Sequence, residues 1–133
     1  MADCSLLGDS IAVGLGAVLH ARGWLCLVAA RTGASSADLV AQIGRSAPHA
    51  WVLVSAGTND RPGASLEANL LAARMAIGRG QVVWLLPYHR RTAYTVTQIA
   101  FRFGDEVVDL ARFPTRDRIH PTSYGEVARA LLP

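Results

Sequence analysis

Ser10 stands directly after Gly8-Asp9, behind a short apolar run from Cys4 to Leu7, and a helical pattern opens at Ile11. A serine at the carboxyl end of a first strand and the amino end of a first helix is where an open α/β sheet places a nucleophile or a ligand. Its backbone N–H would sit at the positive end of the helix dipole, ready to receive an anion. The same stretch also reads as a plain helix cap, because Asp and Ser both satisfy orphan N–H groups there. Far downstream, Asp117 precedes His120 by three residues, just ahead of another helix. In a turn, that spacing can put the carboxylate on the imidazole Nδ1–H, which fixes the tautomer and leaves Nε2 free to take a proton from a hydroxyl. Without a hydroxyl nearby, it is a surface acid–histidine pair before a cap.

Two glycine-led loops have the same double reading. Gly57-Thr58-Asn59-Asp60 can be an Asx-type turn, or a tight turn that aims the Asn59 amide at a developing oxyanion, for which a neutral N–H donor is well suited. Gly33 is either a turn glycine or one that exposes its backbone N–H to a substrate oxygen. Two further candidates are Tyr88 and His89, beside Arg90. They could line an acyl or alcohol pocket, or His89 could compete for the role of base, although no acid lies at a helpful spacing from it.

Whether these groups can meet depends on the elements that carry them. Met1 to Leu7 reads as strand one and Ile11 to Ala21 as helix one, closed by Gly23. Trp24 to Ala29 is a continuous apolar run, expected to be a strand buried on both faces of a parallel sheet. A serine of the Arg31–Ser36 loop is expected to cap a helix from Ala37 to Gly44. Trp51 to Ser55 reads as strand three, Ser65 to Ile77 as the longest helix, and Gln81 to Leu86 as strand four, stopped by Pro87. Thr92 to Phe103 reads as a helix despite the β-favouring Tyr94-Thr95-Val96-Thr97. Glu106 to Leu110 is a short fifth strand, and Thr122 is expected to cap a last helix to Leu131. Regular strand–helix alternation predicts a parallel sheet covered by helices on both faces, in one domain over residues 1–133. All the candidate groups then fall in loops after strands, the edge where such sheets bind ligands. His20 and His49 fall at the opposite edge and are expected to be surface residues.

Taken together, these blocks resemble the SGNH (GDSL-type) hydrolase family. Gly8-Asp9-Ser10 is similar to its first block, Gly33 to its second, Gly57-Thr58-Asn59-Asp60 to its third and Asp117-x-x-His120 to its last. The resemblance implies a three-layer, flavodoxin-like α/β/α fold with a five-stranded parallel sheet in the order 2-1-3-4-5. It also implies roles: Ser10 as nucleophile, His120 as general base then acid, and Asp117 orienting His120. The oxyanion would be held by the Ser10 and Gly33 backbone N–H groups and the Asn59 side chain, while Asp9 and Asp60 hold loop geometry. One oxyanion donor of that kind is worth roughly 3 kcal/mol. The expected function is a serine esterase acting on short acyl esters through an acyl-enzyme, with no metal or organic cofactor. An acyltransferase using the same triad is the alternative, and a non-catalytic binding domain is a more distant one. Ile11 replaces the leucine of the family name, and the chain has little material for a lid or deep acyl pocket, which favours an open site.

The composition narrows the field further. The chain has 133 residues and a net charge of +3, and all 13 basic residues are arginine. With no lysine, neither a P-loop nor a Schiff-base mechanism is available. No serine lies in a G-x-S-x-G elbow, and Gly14-Leu15-Gly16 falls inside a helical pattern rather than in a nucleotide-binding turn. The arginines read as scattered surface residues, with a preference for anionic substrates or surfaces as the minority reading, so a small ester is the expected partner, with no nucleic acid and no stable membrane insertion. No apolar run is long enough to span a membrane. No signal peptide is evident, so a cytoplasmic protein is expected, with export after removal of a presequence left open. Cys4 and Cys26 both fall in predicted strands and read as buried thiols, or as a disulfide if those strands are neighbours.

Overall fold

The structure is a computed structural model that describes residues 3–45 and 51–131. Five parallel strands run β1 (Cys4–Gly8), β2 (Cys26–Val28), β3 (Trp51–Ser55), β4 (Gln81–Leu86) and β5 (Glu106–Asp109). Their order across the sheet is β2-β1-β3-β4-β5, so the predicted topology is observed. The helices are α1 (Ser10–Ala21), α2 (Leu39–Arg45), α3 (Ala64–Ile77), α4 (Arg90–Phe103) and α5 (Tyr124–Leu131).

Strand periodicity explains the layering. Alternate side chains point to opposite faces, and the ladder aligns Leu6 with Leu53 and Leu53 with Val83. Leu6, Leu53, Val83 and Leu85 therefore share one face, packed against Ile11, Leu15 and Leu19 of α1 and Val127 and Ala128 of α5. Leu7, Val52, Val54 and Trp84 face the other way, onto Leu39 of α2, Leu66 and Leu70 of α3 and Val96 and Ile99 of α4. Helices cover both faces, which is why β3 and β4 can be apolar at nearly every position.

The second strand departs from expectation. It is only three residues long, and Leu27 and Val28 are 39% and 43% exposed. Being outermost in the sheet, β2 has a neighbour on one side only. Its first residue lies opposite Cys4 in the β1 ladder, and Cys4 and Cys26 are joined by a disulfide. Buried free thiols are thus replaced by a crosslink between neighbouring strands. Trp24 lies outside the strand and packs on Trp51, with ring centroids 5.3 Å apart.

Helix starts also shift. Ser35 caps a short 3₁₀ turn, Ser36–Asp38, in a reciprocal capping box with Asp38, and α2 follows. α3 begins at Ala64, one residue before the predicted Ser65, and Gly63, which precedes it, makes no side-chain cap bond. α4 begins two residues earlier than predicted, and its β-favouring stretch is overridden by packing, with Thr92, Ala93, Val96, Ile99 and Ala100 forming a buried stripe at helical spacing. α5 starts at Tyr124 with the Ser123 hydroxyl accepting from the Glu126 N–H, so Thr122 is not its cap. β5 ends at Asp109, and Leu110–Arg112 form a 3₁₀ turn. His20 is exposed near the end of α1; His49 lies outside the described residues.

Candidate active site

Gly8 ends β1 with φ +118°, and a Cβ there would overlap the Ser55 carbonyl of the neighbouring strand. Only glycine fits this close crossing. Asp9 then caps α1: its Oδ1 accepts from the Ile11 N–H (3.1 Å) and from the Ser55 hydroxyl (2.8 Å). Asp9 thus does the capping, which leaves the Ser10 hydroxyl free for another partner.

That partner is His120. Ser10 Oγ lies 2.9 Å from His120 Nε2, and His120 Nδ1 lies 2.7 Å from Asp117 Oδ2. With the ring proton on Nδ1, where the carboxylate accepts it, Nε2 presents a lone pair to the serine O–H. Asp117 Oδ1 also accepts from the N–H groups of Ile119 (2.9 Å) and His120 (2.8 Å). The His120 side chain, then these backbone donors, hold the Asp117 carboxyl well below the usual carboxylate range, so it is ionised at neutral pH. The turn is tied from within by Thr115, whose hydroxyl donates to the His120 carbonyl (2.7 Å) and accepts from the Arg118 N–H (3.0 Å). Arg118 adopts φ +62°, a left-handed conformation that side chains seldom take. This end of the hydrogen-bond chain is open to solvent, with His120 and Asp117 side chains 39% and 51% exposed. A hollow of about 220 Å³ beside it is lined by Arg116, Asp117, His120, Pro121 and Thr122.

The other candidates come from the neighbouring loops. Asn59 Nδ2 donates to the Ala34 carbonyl (2.9 Å), which orients the amide and leaves its second N–H. Asp60 accepts from the backbone N–H (3.1 Å) and hydroxyl (2.6 Å) of Ser36, tying the loop after β3 to the start of the α2 turn. Gly33 has φ +82°, is exposed, and has open space where a side chain would be. Tyr88 donates to the Phe113 carbonyl (3.2 Å). Burial, then the charge of Asp117, raises its phenol. His89 caps α4, its Nδ1 accepting from the Thr92 N–H (3.4 Å). Its ring is therefore engaged with its own helix, and His120 occupies the place beside Ser10.

Four contributors escaped the sequence reading. Ser55 holds Asp9, Thr115 holds the His120 turn, and the Tyr124 ring lies over Gly14, one turn of α1 beyond Ser10. Gln42 of α2 is fully buried and bonds both the N–H (2.6 Å) and the carbonyl (3.0 Å) of Gly8. Ser55 could have been noticed, as a hydroxyl at the carboxyl end of a strand; Gln42 carries no comparable local signal.

Asp9 has a further consequence. Burial raises its carboxyl from the ordinary 3.8 to about 6, outweighing the bonds from Ser55 and Ile11, and its Oδ2 is buried without a hydrogen-bond partner. Because the folded-state value lies above the unfolded one, the neutral acid stabilises the fold. That contribution is complete below the unfolded value and is lost as pH rises through about 6. Relative to Asp9→Asn, whose Oδ1 keeps both acceptor bonds, the wild type should lose roughly 3 kcal/mol between about pH 4 and pH 8. Urea unfolding of both proteins across that range measures this, and parallel stability curves would contradict it.

Among the described residues, no group of three or more His, Cys, Asp or Glu side chains is placed to hold a metal ion, and no helix is long and apolar enough to cross a membrane. No protein-family model matches the chain, and no curated protein matches it by sequence. Solved structures do match in shape. One crystal structure superposes with a TM-score of 0.70 at 13% identity, covering 98% of this chain and 95% of its own. The inhibitor-bound form of the M. smegmatis aryl esterase superposes with a TM-score of 0.64 at 13% identity, covering 98% of both chains. These likenesses establish the fold that the sheet order already displays.

Proposed function

We propose that this protein is a serine esterase of the SGNH (GDSL) type, cleaving small carboxylic esters through an acyl-enzyme. The observation that carries the proposal is the unbroken chain from Ser10 Oγ to His120 Nε2 (2.9 Å) and from His120 Nδ1 to Asp117 Oδ2 (2.7 Å). In the first step Ser10 Oγ attacks the ester carbonyl while His120 Nε2 takes its proton, and Asp117, ionised, stabilises the imidazolium. The tetrahedral oxyanion is received by the Ser10 and Gly33 backbone N–H groups and by the Asn59 N–H left free by its bond to Ala34. His120 then protonates the departing alcohol, water adds to the acyl-enzyme by the same route, and the acid leaves. The likeness in fold to an aryl esterase agrees with this chemistry.

The exposure of His120 and Asp117 supports an open site and short acyl groups. Assays of p-nitrophenyl esters from acetate to long chains should show turnover of acetate and butyrate, with kcat/KM falling as the chain lengthens. No turnover of any ester would refute the proposal. Repeating the acetate assay with an added sugar or alcohol acceptor separates hydrolysis from acyl transfer: transfer would appear as acetylated acceptor at the expense of free acid.

A further inference from the structure

We propose that Gln42 is a positioning residue for Ser10; this rests on the serine-esterase reading above. The argument starts from where the sheet ladder stops. β2 pairs with β1 only as far as Leu6, opposite Val28. Beyond that point the chain turns away, and the Ala29 and Ala30 N–H groups both go to the Leu6 carbonyl (3.0 and 3.1 Å). β1 nevertheless continues to Gly8, paired on its other side with Ser55 of β3. On the side that β2 has left, the Gly8 carbonyl accepts from the Arg31 N–H (3.0 Å), and the Gly8 N–H has no strand to bond.

Gln42 fills that place. Its Oε1 accepts from the Gly8 N–H (2.6 Å) and its Nε2 donates to the Gly8 carbonyl (3.0 Å). A primary amide carries the same donor and acceptor as a peptide unit, so one side chain from α2 stands in for the absent strand. Only one orientation of the amide satisfies both bonds. The side chain is fully buried, so water cannot compete for either.

This clamp matters because of the residue it holds. The Ser55 carbonyl demands glycine at position 8, yet glycine is the residue with the greatest backbone freedom. A glycine two residues before a nucleophile would let the Ser10 hydroxyl wander from His120. Gln42 removes that freedom from one side, and Ser55, through its bond to Asp9 (2.8 Å), removes it from the other.

The test uses two variants with Ser10 intact. Gln42→Met keeps the side-chain length and loses both bonds. Gln42→Glu keeps both bonds when its carboxyl is neutral, and when ionised it loses the donor to the Gly8 carbonyl. Concentrations of folded protein are taken from circular dichroism, and two rates are measured: kcat for p-nitrophenyl acetate, and the phosphorylation of Ser10 by diethyl p-nitrophenyl phosphate. For Gln42→Met both rates should fall about 10- to 100-fold with little change in KM, as expected for a small misplacement of a reacting group. For Gln42→Glu, activity relative to wild type at the same pH should climb as pH falls from about 8 to 5, a ratio that divides out the ionisations the two proteins share. If Gln42→Met does not fold, the Gln42→Glu ratio decides. A purely structural role would lower the melting temperature while leaving both rates per folded molecule unchanged and the ratio flat with pH; that result overturns the proposal. Wild-type protein inert to both reagents would overturn the esterase reading and the positioning role with it. A reactive wild type matched by an equally reactive Gln42→Met would overturn the positioning role alone.

Discussion

Ser10→Ala is expected to abolish ester turnover, by at least about 10⁴-fold in kcat, while leaving the fold intact. The two halves of that expectation have separate grounds. Alanine is a good helix former at the first position of α1, and the cap is the Asp9 carboxylate, which the substitution does not touch. The hydroxyl that is lost bonds His120 and sits part-buried at the open end of the site. Catalysis, by contrast, has no substitute for it, because an acyl-enzyme needs the oxygen that carries the acyl group. The variant should show neither a burst nor steady release of p-nitrophenol from the acetate ester, with a circular dichroism spectrum like that of the wild type. Activity above about one per cent of wild type would remove Ser10 from the mechanism.

His120→Ala should be nearly as severe, again about 10⁴-fold or more in kcat, and His89→Ala supplies the comparison. Both histidines lie at the carboxyl edge of the sheet, but their surroundings differ. His120 is held by Asp117 at 2.7 Å and meets Ser10 at 2.9 Å. His89 uses its Nδ1 on the Thr92 N–H at 3.4 Å. Removing His120 takes away the proton acceptor and leaves Asp117 without its imidazole partner. Removing His89 should cost part of a helix cap, up to about 1 kcal/mol of stability, and leave kcat within a few-fold of wild type. Steady-state kinetics beside thermal unfolding for the two variants would show this. A His89→Ala loss as large as that of His120→Ala would overturn the assignment of the base to His120 alone.

Much of this architecture could be read along the chain. Short apolar runs closed by Gly or Pro alternate with helical patterns, and that alternation is enough for a parallel sheet between helices. Once the topology is set, every loop has an edge, and Ser10, Gly33, Asn59, Asp117 and His120 all fall on the same one. The Asp117–His120 pair is legible for a further reason: its geometry is that of a single turn, so spacing alone nearly specifies it.

Other features depended on which segments become neighbours. Trp24–Ala29 is as apolar as β3 and reads as buried on both faces, whereas β2 is three residues long and half exposed at the rim that the strand order assigns it. The disulfide needed β1 and β2 to align with Cys4 opposite Cys26. Gln42 is the sharpest case. A glutamine inside a helix reads as a solvated face, and its burial depends on how α2 is rotated against a strand 34 residues earlier in the chain. Asp9 likewise looked like a cap, and so it is, but its burial, which raises its carboxyl to about 6 against the opposing bond from Ser55, is a property of the packed molecule.

Residue order alone was therefore sufficient for a parallel sheet between helices and for the edge at which the candidate groups gather, because period, turn chemistry and strand–helix alternation are local or combinatorial properties of a chain; the strand order and the roles of those groups came from the family resemblance. Tertiary structure was needed to bring His120 Nε2 within 2.9 Å of Ser10, to release the Ser10 hydroxyl by giving the cap to Asp9, and to supply Gln42 and Ser55 on either side of Gly8-Asp9. Those outcomes rest on distances between residues far apart in sequence and on burial, which are properties of the packed molecule.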